Sequence, residues 1–89
     1  MDGEKNQKIE RVLGIYTKLL SGSLIDKEEE AQNYGVNARS IQRDIDDIRS
    51  FLDMAGMNTG QMNTVVYDRS HHGYRLERNS RLMLKNGSA

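Results

Sequence analysis

Ile41, Ile45, Ile48 and Leu52 step by four, three and four residues, and that spacing admits one regular structure. Residues three and four apart share a face of an α-helix. On a strand, where faces alternate with period two, Ile48 would point away from Ile41 and Ile45. The stripe therefore predicts a helix from about Ala38 to about Asp53 with a single apolar face. Asn37 stands where an N-cap is needed, its short side chain able to accept a backbone N–H that the first turn leaves unpaired. A helix of this kind is stable only when something covers its stripe, so the other elements must supply a core.

The chain has 89 residues, enough for one small domain whose core is marginal but sufficient. It contains no cysteine, which excludes a disulfide framework and any cysteine-based metal site. No apolar run approaches the length of a membrane span. The opening MDGEKNQKIER lacks the apolar core of a secretory signal. The expectation is a soluble cytoplasmic domain with no membrane partner.

Upstream of the stripe, Ile9, Val12, Leu13, Tyr16, Leu19 and Leu20 repeat at helical spacing and predict a first helix of about four turns, closed by Gly22. Leu24-Ile25 is long enough only for a bridge of strand. Asp26, with Glu29 three residues on, predicts the start of a short second helix that stops at Tyr34-Gly35. Downstream, AGMNTGQMN reads as a loop anchored by Met54, Met57 and Met62. TVVYD and YRLE predict two short strands around RSHHG, with Gly73 at the positive φ of a hairpin turn. Helix, helix, turn, helix, hairpin is the order of an α+β winged helix-turn-helix, three helices followed by a two-stranded β-hairpin wing. It spans residues 5–78, with 79–89 as a tail.

The formal net charge is zero, so any charged partner must be recognised by a patch. Charges on the third helix are segregated. At about 100° per residue, Arg39 and Arg43 fall opposite the apolar stripe, with Ser40 and Gln42 flanking them. Asp46, Asp47 and Ser50 follow on the same outward side. Cations at the N-terminal end oppose the helix dipole. The order has a use if that end enters a polyanion, because recognition helices present their first turns to base edges in the major groove. Arginine pairs bidentately with guanine and glutamine with adenine. The competing reading is a solvated amphipathic helix with chance charge order. The turn favours the first reading: Ala31, Gly35 and Ile41 have helix-turn-helix spacing, a small residue where two helices cross, a glycine for the turn, and a branched apolar residue packing back. Val36 would fill the corner. Glu30 occupies a position that usually holds an apolar side chain, which predicts either its exposure or a rotation of the second helix.

The run GVNARSIQRDIDDIRSFL with VVYDRSHHGYRL resembles the N-terminal DNA-binding domain of WYL-domain transcriptional regulators, a winged helix-turn-helix of the DeoR-like or biotin-repressor-like kind. The likeness covers roughly residues 8 to 78 and is most specific at Ser40–Ile45 and Gly73–Leu76. It implies double-stranded DNA as partner, Arg39, Ser40, Gln42 and Arg43 as recognition residues, and Arg69, Ser70, His71 and His72 as the wing tip. The ligand-sensing WYL region does not follow within these residues. The expectation is therefore a monomer in isolation, with homodimerisation supplied by a C-terminal region of an intact regulator. That expectation rests on the first helix having one apolar stripe, needed by its own core.

Other constellations are weaker. Adjacent His71 and His72 lack the further ligands a metal requires, and either contact phosphate or stand in solvent. No phosphate loop, nucleophile elbow or metal-ligand motif appears, and Asp44, Asp46 and Asp47 lie on different parts of one helix surface, so no enzyme and no cofactor is expected. A further reading is a winged-helix protein-interaction module without direct DNA readout. In the DNA reading, Asn37 and the helix start would also hold a phosphate.

Overall fold

The computed structural model describes residues 2–80, with side chains for 6–78. Three helices, α1 (Asp2–Leu20), α2 (Lys27–Tyr34) and α3 (Ala38–Thr59), precede β1 (Gln61–Asp68) and β2 (Gly73–Ser80). The strands pair antiparallel with Val65 opposite Leu76 and Tyr67 opposite Tyr74, so the architecture is the predicted winged helix-turn-helix. Ile25 adds a single rung to the sheet, exchanging two 2.8 Å backbone hydrogen bonds with Tyr74. Asn79 and Ser80, assigned to a tail from the sequence, belong to β2; residues 81–89 of that tail lie outside the described residues. Among the described residues no helix is long and apolar enough to cross a membrane.

The caps form where the residue types require them. Asp26 accepts the N–H groups of Glu28 at 2.9 Å and Glu29 at 3.2 Å, satisfying donors that the first turn of α2 leaves open. At the other end Gly35 takes φ 67°, a left-handed conformation that costs a Cβ-bearing residue energy. The Gly35 N–H reaches Gln32 O at 3.3 Å and the Val36 N–H reaches Ala31 O at 2.9 Å. That pair of bonds is a Schellman turn, and it swings the chain directly into α3. Ala31 is buried at the crossing and Ile41 packs beneath it in the same core.

The α3 stripe lies wholly inside: Ile41, Ile45, Ile48 and Leu52 are all buried. Around it close Ile15 and Leu19 of α1, Ile25, Ala31 and Val65, with Tyr74 and Leu76 half-buried over the edge. The face of α1 differs from the expected one. Its centre is Ile15, while Ile9, Leu13 and Leu20 are exposed. The displacement has an electrostatic cause. α1 meets its neighbours partly through ion pairs: Arg11 with Asp44, Lys8 with Asp44 and Asp47 at 3.3 and 3.1 Å, and Lys18 with Glu30 at 2.8 Å. Arg11, Lys8 and Lys18 must therefore face inward beside Ile15, which turns Leu13 outward.

Glu30 and Asp44 are both buried, so neither the exposure considered for Glu30 nor the surface placement of Asp44 holds. A charge out of water needs a partner and hydrogen bonds. Each carboxylate has both: Lys18 donates to both oxygens of Glu30, and Arg11 bridges both oxygens of Asp44. The hydrogen bonds that Arg11 and Lys18 donate to these carboxylates raise their pKa, against the opposing effect of burial.

α3 continues through the segment expected to be a loop, to Thr59, and Gly60 caps it. Met54 and Met57 consequently stand on the helix surface in water rather than anchoring a loop. Gly56 explains why the segment reads as irregular yet is helical. A Cβ there would lie 2.9 Å from Gln61 O and 2.6 Å from Met62 Sδ, so the glycine admits the start of β1 against the last turns of α3. Gly73 likewise serves close approach and not the expected positive φ. Its Cβ would meet Ile25 O and Leu24 Cβ at 3.2 Å, and the positive φ of the turn falls on His72, at 54°.

Two substitutions check this core by thermal denaturation. Ile45→Ala should cost about 2–5 kcal/mol. Gly56→Ala should cost about 1–3 kcal/mol through overpacking against a backbone carbonyl, despite the higher helix propensity of alanine. A Gly56→Ala variant that melts higher than the parent would show that β1 does not pack on this turn.

Candidate nucleic-acid interface

α3 begins at Asn37, whose side chain accepts the Ser40 N–H at 2.9 Å, with Ser40 Oγ 3.2 Å from the same oxygen. These two residues, both expected to contact DNA, first of all build the cap. The first turn of α3 holds no acidic residue, whereas that of α2 holds Glu28, Glu29 and Glu30. The two helices thus treat their dipoles oppositely. α2 has its positive end compensated by its own side chains, and α3 leaves its positive end open to an external anion.

Arg39 and Arg43 stand exposed on the outward side of these first two turns. Arg69 stands exposed at the hairpin tip with Ser70, His71 and His72. Among the described cationic side chains these three arginines are the ones without a hydrogen-bond or carboxylate partner. Lys8, Arg11 and Lys18 pair with Asp44, Asp47 and Glu30. Lys27 donates to Gln42, and Arg49 to Asp46 and Val65 O. Arg75 pairs with Asp68 and Glu77, and Arg78 donates to Leu20 O.

Gln42, also expected to contact DNA, is engaged by neighbours within the fold. Its Oε1 accepts from Lys27 Nζ at 3.0 Å and from Tyr74 Oη at 3.1 Å, and its Nε2 donates to Asp46 at 3.1 Å. One helical step from the buried Ile41, it lies on the flank of α3, where the start of α2 and the second strand of the wing meet. Lys27 and Arg49 also bracket the Tyr74 ring, each 5.8 Å from its centroid, a favourable cation–π distance. Gln42 therefore joins three elements, α2, α3 and β2, two of its bonds reaching outside its own helix. Its one-step offset from the stripe was visible in the sequence; its partners on α2 and β2 were not.

The wing tip is organised by Asp68, which sequence reasoning passed over. Asp68 accepts the His71 N–H at 3.2 Å, holds His71 Nδ1 at 2.9 Å, and lies 3.4 Å from Arg75 Nε. The side-chain bond from His71 is the main cause that keeps the Asp68 carboxyl below the usual carboxylate range. One ring nitrogen of His71 is thereby occupied, which leaves the other to face solvent. Among the described residues no group of three histidine, aspartate or glutamate side chains has the geometry to hold a metal ion.

A carboxyl whose pKa is lowered on folding stabilises the fold above its unfolded pKa, and loses that contribution as the pH falls through the folded value. Asp68→Asn should therefore melt lower than the parent at pH 7, and the gap should narrow as the pH falls below the unfolded carboxyl value of about 3.9 toward the lowered folded one. Melting curves at pH 7 and pH 3 check this, and an unchanged gap would remove Asp68 from the turn's electrostatics. Compared with known proteins, the chain matches no family model, no curated protein and no solved structure.

Proposed function

We propose that this chain binds double-stranded DNA in a sequence-specific manner, as the non-enzymatic DNA-binding part of a cytoplasmic transcriptional regulator. One observation carries the reading: Arg39 and Arg43 at the start of α3 and Arg69 on the hairpin tip are unpartnered, while the other described cations are held by internal acceptors. A surface arginine without a carboxylate is available to a phosphate or a guanine edge at no cost in broken ion pairs. The uncompensated start of α3 adds backbone N–H groups aimed the same way. The likeness of Ser40–Ile45 and Gly73–Leu76 to the DNA-binding domain of WYL regulators is the reason for placing the activity in a regulator.

In this reading the first two turns of α3 enter the major groove. Arg39 and Arg43 address base edges, with Ser40 beside them, and Asn37 and the neighbouring N–H groups hold a phosphate. Arg69, Ser70, His71 and His72 rest on backbone or minor groove and set the register. Gln42 acts behind this surface: by tying Tyr74 and Lys27 to α3, it fixes the angle between wing and helix. A second reading, a protein-interaction module, is favoured by the exposed apolar side chains on α1 and on the distal half of α3.

Binding to random-sequence duplex, titrated with salt, separates the two readings. DNA binding should weaken with a log–log slope of about −0.9 per neutralised phosphate, and a flat response at every salt concentration would refute it. On a selected site, Arg43→Ala should cost about 1–3 kcal/mol and relax base preference. Arg69→Ala should weaken all sequences alike and lower the slope. Gln42→Ala should cost about 1 kcal/mol of fold stability, from the hydrogen bonds lost to Tyr74 and Lys27, and should leave base preference as it was. A change in base preference with Gln42→Ala would return that residue to the reading surface.

A further inference from the structure

The side chains that α1 turns away from its core form a second stripe. Ile9, Leu13, Tyr16 and Leu20 step by four, three and four, the spacing of one helix face. Ile9 is 55% exposed, Leu13 56% and Leu20 41%. The distal half of α3 continues the surface with Phe51, 57% exposed, and Met54, 69% exposed. Tyr16 and Phe51 join the two helices by an edge-on ring contact, 6.1 Å between centroids. Between them runs an apolar groove of about 280 Å³, floored by Val12 and Ile48 with Asp47 at its rim.

We propose that this face is the contact between two copies of the chain, which associate through α1 packed antiparallel on α1 about a two-fold axis. Area is the first argument. Five large apolar side chains, each with about half its surface in water, leave on the order of 500–600 Å² of apolar area, at the upper limit for an isolated patch on a monomer. A standard interface buries roughly 800 Å² per partner, a little over half of it apolar, or about 450–520 Å². The patch thus supplies the whole apolar component of one protomer's share.

Symmetry is the second argument. A two-fold interface must be complementary to itself. The four-three-four spacing reads the same in either direction, so reversal about the midpoint sets Ile9 against Leu20 of the second copy and Leu13 against Tyr16. Glu10 and Thr17 flank the stripe on one side, and antiparallel packing, which sets like flanks side by side, puts Glu10 near the uncharged Thr17 of the second copy. Phe51 lies eight residues beyond Arg43 along α3, about 12 Å of helix. The association does not depend on DNA binding.

Sedimentation equilibrium of the 89-residue chain is the direct measurement. At tens of micromolar it should give close to twice the 10.2 kDa chain mass; a single-chain mass throughout that range overturns the proposal. Leu13→Glu and Phe51→Glu should each weaken association by about 100-fold or more, because a carboxylate would be buried in an apolar contact. Both side chains are largely in water in the protomer, so circular dichroism should show an unchanged fold. Association that survives both variants places the contact elsewhere. Because the chain has no cysteine, direction can be read covalently. Ile9→Cys chains mixed with Leu20→Cys chains should form disulfide-linked pairs under mild oxidation, and neither variant should couple to itself. Self-coupling of Ile9→Cys overturns the antiparallel arrangement.

Discussion

The pairing of Asp44 with Arg11 is the interaction from which the rest of the arrangement follows. Asp44 sits among the apolar residues of α3 and is buried. A buried carboxylate without a partner would cost several kcal/mol, so α1 must lie where Arg11 can bridge both of its oxygens. That requirement sets the rotation of α1, brings Ile15 into the core, and sends Leu13 outward. Lys18 with Glu30 repeats the constraint one helix further on, so α1 is tied to both halves of the helix-turn-helix by charge as well as by apolar contact.

The same pairs shape the surface potential. The chain is neutral as a whole, but its acids and bases are not neutralised at random. Asp44, Asp47, Asp46 and Glu30, all close to the turn or on α3, are matched by Lys8, Arg11, Arg49 and Lys18 from within the fold. The cations that remain unmatched among the described residues are at the start of α3 and on the wing tip. Which cations stay free on a neutral protein is therefore a consequence of which charges the fold consumes, and net charge carries no information about it.

The wing is short and would be marginal as an isolated hairpin. It is held by three kinds of contact: the Ile25 rung, the Tyr74–Gln42 bond, and the packing of Val65 and Leu76 on the core. Gly73 eases the first of these, because a Cβ there would crowd Ile25 O and Leu24 Cβ at 3.2 Å. Asp68 and His71 then order the tip from within. The geometry of the loop is thus set on both sides, by the core at its base and by one carboxylate at its apex.

Much of the fold was legible in residue order. The stripe of Ile41, Ile45, Ile48 and Leu52, the caps at Asp26 and Asn37, and the turn at Gly35 are local signals: each depends on residues within a few positions of one another, where spacing and backbone preference decide the outcome. The exposure of Arg39 and Arg43 followed from the same periodicity. What residue order left open was decided by distant partners. Asp44 looks like a surface residue until Arg11, 33 positions away, is found beside it. Gln42 looks unattached until Tyr74, 32 positions away, donates its hydroxyl hydrogen to it. Gly56 looks like a helix breaker until β1 crosses it. The sequence by itself determined the elements and their caps, because those are short-range. The tertiary structure alone decided which face of α1 is inside and which charges are spent, because burial of a charge is settled by the group that comes to lie against it.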